Sequence, residues 1–196
     1  MNALGGRAGA VLWLVIVIAA VVAPLVLAGD VARNLAILAL LFAVVASNWD
    51  LTLGYAGIFN FAHVAFFGIA GYVSAIATIH FGVPIWLDIA LAVLVVAVLA
   101  AVTAALALRL RGIYVALVTF AFVQLCVALI ISQKWLTGGA VGLVGVPDLS
   151  LFGYRLSASG PGYLYLTEAL LIASTLFLRW LVTSDFGLSL IALRDN

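Results

Sequence analysis

Asn60, His63, Ser74 and Thr78 are the side chains of this sequence whose types and spacing suit polar chemistry in an apolar setting. Together with Phe67 and Gly71 they fall near one face of a single helical segment. A stripe of amide, imidazole, hydroxyl and small residues inside a lipid-crossing segment should face protein or water, not acyl chains. Two roles fit it. One is helix packing with hydrogen-bonding glue, in which Ala70 with Ser74, or Gly71 with Ala75, supplies the small-xxx-small pattern. The other is a transport pathway lined by Asn60 and His63, since ionisable groups inside spans often mark such paths. A metal site is not indicated, because His63 has no second ligand at i+3 or i+4 and His80 lies at the opposite end of the segment.

Other polar groups are isolated. Gln124 shares a face with Leu117, Ala121 and Ala128, which suits contact with a helix or with a ligand. Glu168 sits about one turn inside the last long apolar segment and can bend outward to the interface; a proton relay would need a partner carboxylate or histidine that the sequence does not place beside it. Cys126, the single cysteine, reads as a small core hydrophobe and can form no internal disulfide. No nucleophile, paired carboxylates or metal-ligand cluster emerges, so no catalytic residue, metal or cofactor is assigned.

The elements that must position these residues are membrane helices. The chain is 68% hydrophobic and 8% charged, with mean hydropathy +1.39, far from the soluble norm of about one quarter charged. A net charge of +1 and the lack of a basic stripe argue against a nucleic-acid partner. With about 20 apolar residues needed per crossing, six spans are expected, over approximately 8–28, 34–53, 61–80, 86–108, 113–132 and 163–182. The fold class is therefore all-α: a polytopic transmembrane helix bundle forming one domain over residues 1–196. The first span is long and lacks a small-residue cleavage site, which reads as a retained helix.

Two stretches break the pattern. Gly54-Tyr55-Ala56-Gly57 interrupts the apolar run just before the polar stripe, as a tight turn or as a broken or re-entrant helix, and irregular backbone at membrane depth survives only where it is buried or lines a cavity. Gln133 to Gly162 carries six glycines up to Gly160, with Pro147 and Pro161 among them, too many breakers for one uninterrupted helix. Within it, Ala140 to Val146 suits a re-entrant segment. The candidate path residues are thus Gly54, Gly57, Asn60, His63, Gly71, Ser74 and Gln124.

Basic residues set the expected orientation. With an even number of spans, Arg7, Arg109, Arg111, Arg179 and Arg194 fall on one side and Arg33, Lys134 and Arg155 on the other. The first group has the excess and includes a short-loop pair, so both termini are expected in the cytoplasm, with Trp86 and Trp135 at the outer interface and Trp49 and Trp180 near the inner one. After the last span, Thr183, Ser184 or Asp185 can cap a short helix in which Phe186, Leu190 and Leu193 share a face and Arg194 lies in the last turn. Such a helix suits a groove in a soluble partner, or a resting place on lipid.

Four blocks in one order carry a family resemblance. They are Trp49-Asp50-Leu51-Thr52-Leu53-Gly54-Tyr55-Ala56-Gly57-Ile58-Phe59-Asn60-Phe61-Ala62-His63 and its continuation to Gly68; Leu108-Arg109-Leu110-Arg111-Gly112-Ile113-Tyr114; Leu136-Thr137-Gly138-Gly139 with Gly142-Leu143 and Gly145-Val146-Pro147; and Phe186-Gly187 with Ala192-Leu193-Arg194-Asp195-Asn196. In these the chain resembles the LivM-like permeases of bacterial branched-chain amino-acid ABC importers. The resemblance implies a multi-pass subunit of the bacterial inner membrane that pairs with a second, homologous permease, two cytoplasmic ATPase subunits and a periplasmic substrate-binding protein. It further implies that Phe186 to Asn196 is a coupling helix, with Phe186, Gly187, Leu190, Ala192 and Arg194 at the ATPase, and that the long glycine-rich connection meets the binding protein. The chain departs from the pattern in a greasier coupling segment, at Leu188 and Leu190, and in stopping at Asn196 where the family continues, which reads as a fragment unable to complete a transport cycle alone. Sugar or nucleoside ABC permeases, and ATP-independent carriers, are the alternatives.

Overall fold

The computed structural model describes Val22 and residues 29–110, 112–151, 154–156 and 161–195. The span expected over 8–28 lies, apart from Val22, outside these described residues. Five described helices are long and apolar enough to cross a membrane. In chain order the helices are α1 (Asp30–Asp50), prolonged by a π-helical turn over Leu51–Tyr55, then α2 (Ala62–Phe81), α3 (Ile85–Ala107), α4 (Ile113–Ser132), the short α5 (Lys134–Thr137), α6 (Gly162–Thr183) and α7 (Asp185–Asp195). A two-residue ribbon, β1 (Ser150–Leu151) with β2 (Tyr154–Arg155), pairs antiparallel in the long connection. Helical membrane architecture is what a lipid environment demands, because every main-chain polar group must be satisfied within the chain.

Local chemistry sets the ends. The amides of Gly82 and Val83 close back on Thr78 O and Ala77 O, a turn made on left-handed Gly82, and extended Pro84 then opens α3. The short turn makes α2 and α3 an antiparallel hairpin packed along its length. α4 packs on α2, while α1 packs on α6 and α7 rests against both α6 and the π-helical end of α1. α1 is longer than the 34–53 expected, running from Asp30 to Tyr55. At its start Arg33 reaches back one turn to Asp30, 3.7 Å away, so these charges sit within the helix.

The core is built of small side chains. Ala62, Ala65, Ala77 and Ala92 are buried, along with Leu164, whereas Leu94, Val98, Leu106, Leu125 and Phe177 are exposed. This inversion of the soluble pattern is what lipid as solvent produces: large apolar groups lose nothing by facing acyl chains, and helices gain by approaching closely over alanine and glycine. Ala77 is only 3% exposed, so Ala77→Leu should overpack the α2 face and cost about 1–3 kcal/mol. Leu94→Ala on the lipid face should be nearly silent by comparison. Thermal unfolding of the two variants in detergent checks this, and equal midpoints would contradict the assigned core.

Candidate functional site

Asn60 and His63 sit at the join between α1 and α2, and the rest of the stripe runs on along α2. After Asp50 the helix widens: Ala56 N–H donates to Leu51 O at 3.4 Å and Ile58 N–H to Thr52 O at 2.9 Å. The crowding at Gly54 is specific, since a Cβ there would stand 2.6 Å from Asp50 Oδ1. Gly57 takes φ 68, the left-handed region that glycine enters without a Cβ penalty, and the chain then runs without regular structure to Phe61. The stretch is a broken helix and not a tight turn.

Side chains fix the far end of the break. Asn60 Oδ1 accepts from Ala62 N–H at 2.9 Å and Thr119 Oγ1 of α4 accepts from Phe61 N–H at 3.1 Å, so two amides at the start of α2 are satisfied. The Phe61 ring lies 6.1 Å from Trp49 and 6.2 Å from Phe120, wedging the loop between α1 and α4. Asn60 therefore serves the backbone here. His63 is half-buried beside Phe66, with the Asn60 main chain near its ring, and its Nδ1 makes no well-formed hydrogen bond.

Further along α2 the stripe divides. Gly71 lines a shallow cavity, largely open to the surface, of about 480 Å³ between α2 and the glycine-rich connection, with Phe67, Gly68, Tyr72 and Ala75 on one side and Gly142, Leu143 and Val146 on the other. The connection thus folds back against α2. Ser74 and Thr78 turn instead toward α3, where Ser74 Oγ donates to Asp88 Oδ2 at 2.7 Å and Thr78 Oγ1 to the same oxygen at 3.2 Å. Asp88 is 1% exposed and its Oδ1 is buried without a partner. Sequence reasoning passed over this carboxylate. The available signal was an acid at the fourth position of the most apolar span, across a three-residue turn from two hydroxyls at i, i+4 spacing. Gln124 is not brought to this site: with Leu117, Ala121 and Ala128 it is exposed, about half a turn around α4 from buried Val115.

At the other end of the described chain, α7 turns sharply off α6. A Cβ on Gly187 would run into the carbonyl of Val182, so only glycine lets the two helices meet this closely. Phe186, Ala192 and Leu188 are exposed and Leu190 is half-buried. Arg194 does not point away: its Nη1 donates to Gly54 O at 2.8 Å, and its aliphatic stem covers Gly57. Gly54 and Arg194, 140 positions apart in the sequence, are thus in direct contact.

Among the described residues no group of three or more His, Cys, Asp and Glu side chains stands together to hold a metal. The Asp88 cluster reads as a clamp between α2 and α3. Asp88→Ala would strand two hydroxyls, which can fall back on their own i−4 carbonyls, so we expect a loss of about 1–3 kcal/mol. Asp88→Asn retains an acceptor and should lose less than half as much. Unfolding midpoints of the two variants decide it, and a silent Asp88→Ala would remove the clamp.

The chain is similar to characterised transport proteins. It is 28% identical over 126 residues to the high-affinity branched-chain amino acid transport system permease protein LivM of Salmonella typhimurium, a stretch covering 64% of this chain and 30% of that protein. It is 27% identical over 124 residues to the protein of the same name from Escherichia coli, covering 63% of this chain and 29% of the relative. The chain thus matches under a third of the length of these curated relatives. No solved structure matches it. The match to the family described as branched-chain amino acid transport system / permease component runs over residues 31–196, from the start of α1 through the broken helix, the Asp88 hairpin and α7, and the chain belongs to that family.

Proposed function

We propose that the chain is the membrane-spanning part of an ATP-driven importer for branched-chain amino acids, in which it pairs with a second, homologous permease, two cytoplasmic ATPase subunits and a periplasmic binding protein. Family membership over residues 31–196 carries this reading, and the names of the relatives supply the amino-acid class. The chain holds the path, and ATP hydrolysis belongs to its partners.

The π-helical end of α1 and α7 meet at one end of the bundle. With Arg109, Arg179 and Arg194 toward that end, the positive-inside bias makes it the cytoplasmic one, and the span expected over 8–28 would bring the N-terminus to the same side. α7 presents Phe186 and Leu188 outward, each more than half exposed, as the apolar edge that an ATPase groove would take. At the opposite end the connection from Gln133 to Gly162 faces the binding protein. The cavity beside Gly71 has the volume of a small-molecule site and a largely hydrocarbon lining, matching aliphatic side chains better than sugar hydroxyls. Gly54 and Gly57 supply the break, and His63 and Ser74 lie along the helix that follows it. Gln124, exposed on α4, meets the second permease or the water-filled path.

An exposed aromatic anchor at a partner surface is worth about 2 kcal/mol, or roughly thirtyfold in affinity. Phe186→Asp should therefore sharply reduce both co-purification of the ATPase and ATP-dependent leucine uptake by the assembled transporter, with little change in the unfolding midpoint of the permease. Uptake that persists at the parental rate would refute α7 as the ATPase contact. Competition by isoleucine and valine, but not by ribose or a nucleoside, is expected in the same assay.

A further inference from the structure

The contact between Arg194 and Gly54 carries an inference about how force enters the bundle. At the end of α1 the carbonyls of Leu51 and Thr52 are taken by the amides of Ala56 and Ile58. The Gly54 carbonyl is taken by a guanidinium from a different helix. A helix C-terminus carries partial negative charge and unsatisfied carbonyls, and a cation donating there is favourable on both counts. The cap is exposed but closely fitted. A Cβ on Gly57 would stand 3.1 Å from Arg194 Cγ and 3.6 Å from Arg194 Cβ, so Gly57 exists as a glycine both for its left-handed backbone and for the room the arginine stem needs. Arg194 also lies in the last turn of α7, whose first turn is fixed to α6 by the Gly187 approach.

We propose that Arg194 is a mechanical joint: it ties the far end of the coupling helix to the π-helical end of α1, so that displacement of α7 is delivered to the Gly54–Phe61 break and through it to α2. The inference rests on the importer reading for the source of the displacement, but the joint itself does not. It gives Arg194 a role inside the chain as a positioning residue, distinct from a charge offered to the ATPase. The Cβ separation at positions 57 and 194 falls in the range that a disulfide spans, which makes the joint testable directly.

In a Cys126→Ser background, Gly57→Cys with Arg194→Cys should lose both thiols to mild oxidant in the membrane, read by protection from a maleimide that shifts gel mobility. Each single variant should stay labelled. If the oxidised pair stays labelled too, the joint is refuted whatever the protein transports. In the assembled transporter the reduced pair, which lacks the Arg194 guanidinium, should import at least several-fold less substrate per ATP hydrolysed than the parent, and oxidation should restore a third or more of the parental ratio because the disulfide replaces the joint; an oxidised pair no better coupled than the reduced pair overturns the proposal. Arg194→Ala, which leaves Gly57 untouched, should lower substrate imported per ATP hydrolysed at least tenfold, and Arg194→Lys should recover half or more of that ratio. An unchanged ratio in Arg194→Ala overturns the joint as the force path. A parental transporter that imports nothing on ATP, with the cross-link still forming, overturns the importer reading and leaves the contact standing.

Discussion

Main-chain polar groups at membrane depth must find partners inside the protein, and the break between α1 and α2 is where that demand is hardest to meet. From Leu51 to Phe61 the chain gives up the regular helical ladder. Its exposed carbonyls and amides are then taken up one by one: within the widened turn by Ala56 and Ile58, by Asn60 and Thr119 at the start of α2, and by Arg194 at Gly54. Ala56, Ile58 and Asn60 are local, whereas Thr119 and Arg194 come from distant parts of the sequence. These bonds tie the start of α2 to α4 and the end of α1 to α7, and a main-chain polar group left unpaired in hydrocarbon costs several kcal/mol.

The same logic explains the hairpin of α2 and α3. Alanine cores give close approach but little to fix the helices in register, since lipid competes equally for apolar surface. A carboxylate that receives two hydroxyls, at Asp88, Ser74 and Thr78, fixes it. Asn48 does the same for α1 and α6, bonding Ser174 at 2.9 Å.

These are also the places where the sequence was hard to read. Hydropathy placed α4 at Ile113–Ser132 to the residue because Gly112 and Gln133 bound an unbroken apolar run. It placed α2, α3 and α6 within a residue at each end. It missed the first turn of α1, where Asp30 and Arg33 depress hydropathy locally but pair with each other. The stripe of Asn60, His63, Gly71 and Ser74 was recognisable as a face of α2, yet its members do different things: Asn60 caps, Gly71 borders the cavity and Ser74 pins α3. Periodicity tells which residues share a face, and only the neighbouring helix tells what each one meets. Asp88 escaped for that reason, and so did the link from Arg194 to Gly54, whose separation along the chain leaves no periodic trace.

That link bears on how a bundle of this composition can be moved at all. α6 is pinned to α1 through Asn48 and Ser174, and α7 is held to α6 at Gly187 and to α1 at Arg194. These three helices close a triangle, and a triangle transmits a push without folding at its corners. α2 and α3 are locked to each other through Asp88. Between the two assemblies the covalent connection is the non-helical stretch after Tyr55, in which Gly57 takes the left-handed backbone. A force applied at α7 would therefore have its largest angular effect at Gly57–Phe61, displacing α2 with its cavity against the glycine-rich connection at Gly142. Two rigid parts joined by a short irregular segment is the arrangement that hinge motion requires.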